Sequence, residues 1–178
     1  MKHRRLFFAL WPDKGVRQAI VRQTAPYLKK NNGRIIPAAN LHITLHFIGS
    51  VDEEMAGCLH AAASAVKAEP FELQLDTFGY FARAKVAWLG TTHTPDSILR
   101  LNESLGEHLT DCGYQPDGRK FSPHVSLMRK CRRPVSALRG EVSIPWTVDR
   151  FVLLESVQET IDGRQGVSYR VIEQYPLS

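Results

Sequence analysis

Residues 40–49 read NLHITLHFIG (Asn40–Gly49) and residues 121–130 read FSPHVSLMRK (Phe121–Lys130). Each places a histidine, one residue, then a small hydroxyl residue inside an apolar run of strand length. Side chains two apart in a strand share a face. His42 and Thr44 therefore point one way, while Ile43, Leu45 and Phe47 point to the core; His124 and Ser126 stand likewise against Val125 and Leu127. An imidazole and a hydroxyl turned to one side of a buried strand need hydrogen-bonding partners. Strict alternation also sets His46 on the face of His42, as an accessory residue at its rim, and aims Lys130 rather than Arg129 along the face of His124.

Working outward, Leu6–Leu10 reads as a buried strand. Pro12-Asp13 opens a helix to about Lys30 that is stopped by Asn31-Asn32-Gly33. Val51-Asp52-Glu53-Glu54 opens a second helix, Ala-rich through Val66. Phe71–Asp76 alternates as a half-buried strand, and Lys85–Leu89 is another. Pro95-Asp96 leads into a third helix with Ile98, Leu101, Leu105 and Leu109 on one face, closed by Cys112-Gly113. The strand from His124 follows. Two last strands, about Val148–Val157 and Ser168–Tyr175, join through Asp162-Gly163. Strand, Pro-Asp helix, loop and His-x-hydroxyl strand thus occur twice; the histidines are 82 positions apart and the prolines 83. That register implies an internal duplication, with the motifs at 42–45 and 124–127 brought face to face by pseudo-twofold packing.

The chain has 178 residues, 43% hydrophobic and 23% charged, which suits one domain with a real core. The apolar stretch Leu6–Trp11 is too short for a signal or membrane segment, so a cytoplasmic protein is expected. Cys58, Cys112 and Cys131 show no CxxC spacing, and three free thiols are expected. Net charge is +5, unevenly spread: residues 1–40 hold nine Lys/Arg against Asp13 alone, and residues 121–140 hold Arg129, Lys130, Arg132, Arg133 and Arg139 with no acid. If these segments meet, they form a surface for a polyanion.

Two facing histidines suit in-line displacement at phosphorus. One takes a proton from the attacking oxygen and the other gives one to the leaving oxygen, both with a pKa near neutrality. Thr44 and Ser126 could donate to the non-bridging oxygens, with Arg129 or Lys130 as the cation. No metal is required. A zinc site of His42, His46 and His124 is disfavoured because i and i+4 in a strand lie about 13 Å apart. There is no GxxxxGK[ST] loop, no GxGxxG and no GxSxG elbow.

His42-Ile43-Thr44-Leu45 and His124-Val125-Ser126-Leu127 resemble the paired HxTx signature of the two-histidine (2H) phosphoesterase superfamily, most closely its RNA 2′,3′-cyclic phosphodiesterases, also called 2′-5′ RNA ligases. Arg5–Ala9, Asn40–Gly49, Phe121–Arg129, Leu154-Glu155-Ser156, Gly166–Tyr169 and Tyr175-Pro176-Leu177 extend the likeness over nearly the whole chain. The resemblance implies an α+β fold of residues 1–178 as a single bilobal domain, in which two pseudo-symmetric lobes, each with an antiparallel sheet and helices, flank an active-site cleft. It implies hydrolysis of RNA 2′,3′-cyclic phosphate ends, on tRNA fragments or oligonucleotides, to a 2′-phosphate, with no metal or cofactor; a monomer is expected because no long exposed apolar segment demands a partner. His42 would be the proton donor to the leaving 3′-oxygen and His124 the proton acceptor from water, with Thr44, Ser126 and Arg129 holding the phosphate. A 5′-hydroxyl in place of water would give ATP-independent 2′-5′ joining. Ser126 stands where the family usually has Thr, with its hydroxyl kept. Arg129 stands where the family has arginine, which requires a twist or bulge at the strand end. The alternatives are another cyclic or 2′-5′ nucleotide substrate, or an RNA-end-binding protein without chemistry that grips bases with Phe7, Phe8, Trp11, Tyr80 and Phe81.

Overall fold

The first strand, β1 (Arg4–Leu10), sorts the molecule into two faces. Leu6, Phe8 and Leu10 enter the main core, whereas Phe7 and Ala9 join a smaller cluster with Val152 and Leu154. The computed structural model describes residues 3–133 and 141–178, Ile161 by its backbone alone. Arg139, counted above in the second basic segment, lies outside the described residues.

In chain order β1 is followed by α1 (Lys14–Leu28), β2 (Arg34–Ile35), β3 (Ile43–Val51), α2 (Glu53–Ser64), β4 (Phe71–Leu75), β5 (Thr77–Phe81), β6 (Val86–Gly90), α3 (Asp96–Thr110), β7 (His124–Arg129), β8 (Ile144–Val148), β9 (Arg150–Ile161) and β10 (Arg164–Pro176). Asp13 caps α1 by accepting from the Val16 N–H at 2.8 Å, and Asp52 caps α2 from Met55 at 2.9 Å. Glu53 and Glu54 in the first turn of α2 also suit the positive end of its dipole. The apolar stripe of α3 (Ile98, Leu101, Leu105, Leu109) is buried in the main core, with Ile20 and Leu28 of α1 and Leu59 and Ala63 of α2.

The main sheet is antiparallel, in the order β10-β9-β1-β3-β7-β6-β5, with β2 on β7. Its two halves meet between β3 and β7 at the pair Ile43–Val125, so the two His-x-hydroxyl strands are next neighbours. β4 and β8 form a separate two-stranded sheet. The alternation of Phe71–Leu75 is buried, exposed, buried as expected. The stretch read as one strand from Val148 is two strands, broken at Asp149, because β8 pairs with β4 while β9 pairs with β1. No helix among the described residues is long and apolar enough to cross a membrane.

The cysteines depart from expectation. Cys58 on α2 and Cys112 just past α3 form a disulfide, with Cα atoms 5.8 Å apart, and Cys131 remains a buried thiol. The partners lie 54 residues apart, and only the packing of α2 on α3 brings them together. Closing such a loop restricts the unfolded chain. Replacing Cys58 and Cys112 by Ala, or adding reductant to the wild type, is expected to lower unfolding stability by about 2–4 kcal/mol. Urea melts with and without reductant measure this; superimposable curves would refute it.

Candidate active site

The geometry of the site starts with two slips in strand register. Along β1 and β3, Phe8 pairs with His46 and Ala9 with Thr44, leaving Leu45 as an extra residue. Along β6 and β7, Ala87 pairs with Met128 and Trp88 with Ser126, leaving Leu127 as the extra residue. Each bulge reverses the alternation beyond it.

The reversal corrects three expectations. His46 does not share the face of His42 or lie at its rim: it is 7% exposed. Its Nε2–H donates to the Asn102 carbonyl at 2.7 Å and its Nδ1 accepts from the Tyr114 hydroxyl at 3.3 Å. α3 makes room for the ring at Gly106, where a Cβ would come within 3.0 Å of it. His42, His46 and His124 therefore do not converge. Phe47, expected in the core, is turned out and is 50% exposed, with the Arg5 guanidinium 5.0 Å over its ring. Lys130 ends β7 with φ 54°, and Arg129 takes the face of His124 and Ser126.

Both site histidines are oriented by the same device. His42 Nδ1–H donates to the Asn40 carbonyl at 2.7 Å, and His124 Nδ1–H to the Ser122 carbonyl at 2.8 Å. A carbonyl only accepts, so each ring carries its neutral-state proton on Nδ1 and presents Nε2 for chemistry. Thr44 Oγ1 lies 3.1 Å from His42 Nε2. His42 and His124 immediately precede the paired residues Ile43 and Val125, and His124 is close enough for its charge to act on His42.

Cations surround this pair. Arg34 on β2 stands opposite Arg129 on β7, so the basic segments at 1–40 and 121–140 meet here. Arg17, absent from the sequence reading, lies on α1 with its guanidinium 4.1 Å over the Trp11 ring and Nε–H donating to the Pro12 carbonyl at 2.8 Å. Its Nη2 is buried without a partner. Among the described residues, none of Arg17, Arg34 and Arg129 makes an ion pair. Burial pushes His42 down to about 4, Arg129, Arg17 and His124 push the same way, and the Asn40 carbonyl opposes them. Two imidazoles whose Nδ1–H groups are committed to carbonyls, two hydroxyls and arginines outside any ion pair among the described residues are an arrangement that can hold a phosphate and move protons on either side of it.

The model of the 2′-5′ RNA ligase superfamily matches residues 12–160. The RNA 2′,3′-cyclic phosphodiesterase of Escherichia coli (strain K12) is 31% identical over 152 residues, 85% of this chain and 86% of that protein. That of Aeropyrum pernix is 33% identical over 143 residues, 75% and 80% of the two chains. The chain belongs to the 2′-5′ RNA ligase superfamily. Its fold is that of E. coli LigT, whose apo crystal structure superposes with a TM-score of 0.86 at 28% identity over 100% of this chain and 99% of that one. LigT complexed with 3′-AMP gives 0.84 at 27% identity over 99% of both chains.

In this superfamily member the histidines have aromatic walls that no motif announced. Phe7 and Tyr169 pack on His42 at 5.1 Å each, and Trp11 at 6.3 Å. Phe81 and Trp88 pack on His124 at 4.9 and 6.0 Å. Of the aromatics weighed from the sequence, Phe8 is core.

Removing a cation beside His42 favours its protonation, so Arg129→Met is expected to raise the His42 pKa above the value near 4, and added inorganic phosphate to do the same in the wild type. Proton NMR titration of the imidazole reads both; an unmoved resonance would contradict the placement of Arg129. Folding lowers the pKa of both His42 and His46. The unfolded chain then takes up protons first, so stability is complete above about pH 6.5 and falls as pH drops towards 4. His46→Gln should make that fall shallower in urea melts at stepped pH.

Proposed function

We propose that this protein is an RNA 2′,3′-cyclic phosphodiesterase that converts cyclic phosphate ends to 2′-phosphates by metal-independent acid–base catalysis. The observation that carries the reading is the matched pair: His42 and His124, each locked by a carbonyl two residues upstream, each next-but-one to a hydroxyl, on adjoining strands. The names of the E. coli and Aeropyrum pernix relatives support the substrate class.

Water attacks phosphorus from the side of His124, which takes its proton on Nε2. The O–P bond forms as the P–O3′ bond breaks, and His42 Nε2–H gives its proton to the departing 3′-oxygen. Thr44, Ser126 and Arg129 hold the non-bridging oxygens as negative charge grows there. The cyclic ester supplies the driving force, so no cofactor takes part, and the same displacement with a 5′-hydroxyl gives a 2′-5′ linkage. The protein acts as a monomer and as one bilobal unit built by duplication, a reading supported by the two bulges 82 positions apart.

His42→Ala and His124→Ala are each expected to cut turnover of nucleoside 2′,3′-cyclic phosphates by about 10²–10⁴, and Ser126→Ala by less, with chelator without effect. Full activity in either histidine variant would overturn the mechanism. A 3′-phosphate product, identified by chromatography, would contradict the assigned geometry, because the 2′-oxygen and not the 3′-oxygen would then be the leaving group.

A further inference from the structure

The two sides of the proposed site differ, and the in-line geometry gives the difference a meaning. The leaving 3′-oxygen belongs to the cyclic-phosphate nucleoside, which therefore lies on the side of His42. Whatever attacks comes from the side of His124. Water needs nothing more than the imidazole there, yet His124 is bordered by an aromatic surface that reaches solvent.

Phe81, the last residue of β5, sets its ring edge-on to His124 and is 37% exposed. It packs on Trp88 of β6 with centroids 5.4 Å apart and planes 36° apart. Trp88 is opposite Ser126 in register, so it faces the site. Its ring lies against Gly79, where a Cβ would come within 1.9 Å of it, and any larger residue at 79 would displace the ring. β5 is the edge of the main sheet, so its outer side is open to a second molecule. The turn from Phe81 into β6 carries exposed Arg83 and Lys85, neither in an ion pair among the described residues. A flat apolar surface beside the proposed base, continued by cations, matches a nucleobase followed by its phosphates.

We propose that Phe81 and Trp88, with Arg83 and Lys85, form an acceptor subsite for the 5′-terminal nucleoside of a second RNA strand. The inference rests on the reading above and deepens it. The acceptor base stacks on Phe81, which places its 5′-hydroxyl at His124 Nε2. His124 takes the hydroxyl proton, the O5′–P bond forms, the P–O3′ bond breaks, and the 3′-oxygen receives its proton from His42. The product is a 2′-5′ phosphodiester, and water is excluded while the subsite is filled.

The test is a competition between hydrolysis and joining, using an oligonucleotide with a 2′,3′-cyclic phosphate end and a tetranucleotide with a 5′-hydroxyl, with methanol as a control acceptor that cannot stack. Phe81→Leu keeps an apolar group against His124 but removes the stacking face. It is expected to lower the ratio of joined to hydrolysed product about tenfold, while the ratio of methanolysis to hydrolysis stays as in the wild type. The Arg83→Ala, Lys85→Ala double variant should raise the KM for the tetranucleotide and flatten its salt dependence, without changing the KM for a single nucleoside acceptor. An unchanged ratio in Phe81→Leu, an equal fall in joining and hydrolysis, or a wild type that hydrolyses but never joins at saturating acceptor would each overturn the subsite. Failure to hydrolyse any cyclic end would instead refute the proposed function. In that case, fluorescence anisotropy of a labelled 5′-hydroxyl tetranucleotide, weakened by Phe81→Leu or not, still decides whether the surface binds.

Discussion

Leu45 and Leu127 each stand without a cross-strand partner where β3 runs beside β1 and β7 beside β6. A bulge of one residue moves every later side chain to the opposite face. Without it at Leu127, Arg129 would enter the core and Met128 would face the site. Without it at Leu45, His46 would lie beside Thr44 and forfeit its bonds to Asn102 and Tyr114. The bulges thus let one strand present polar groups on both faces: His42 and Thr44 to the open side, His46 to the helices. Regular alternation would have made the polar face continuous and the core face wholly apolar.

That arrangement leaves positive charge crowded on the open side. Arg34 and Arg129 are directly opposed, a placement that is unfavourable between like charges in a sheet. Arg17 holds its guanidinium in place with the Trp11 ring and with the carbonyls of Pro12 and Ala38, rather than with a carboxylate. Three other described arginines do find acids: Arg4 pairs with Glu155 and Glu53, Arg119 with Asp117 and Arg150 with Asp149. In the proposed function the missing counter-charge at the site is what the substrate phosphate would supply, and the repulsion it relieves would add to its binding.

Much of this was legible in the sequence because it is local. Period-two patterning marked both motif strands, Asp13 and Asp52 announced their helices, and the 82-residue offset tied the two histidines together. What stayed hidden depends on which elements become neighbours. The disulfide needs α2 against α3, and no spacing between Cys58 and Cys112 encodes that. Arg17 sits in a helix with no motif around it, and it joins the site only because α1 starts beside Trp11. The bulges are a property of paired strands, so strict alternation misplaced His46 and Phe47. At Arg129 the family resemblance overrode alternation, and the observed register supplies the physical reason. Phe81 was among the aromatics weighed from the sequence for gripping bases and Trp88 was not, and the packing of both on His124 follows from where β5 and β6 lie beside β7.

The neutral state of His42 constrains the chemistry proposed for it. Its Nδ1–H is committed to the Asn40 carbonyl, and with a pKa near 4 its Nε2 carries only a lone pair at neutral pH. A donor to the 3′-oxygen must first gain a proton. Burial and the surrounding cations hold that proton off, and in the proposed mechanism a bound phosphate would act against the second of these, since its charge would lie among Arg129, Arg17 and the imidazoles. Binding the anion and protonating His42 are therefore linked, and linkage is reciprocal: as the anion raises the pKa of His42, a protonated His42 tightens the hold on the anion. The acid would then be assembled by its own substrate, and the free enzyme would carry one fewer buried charge while it waits.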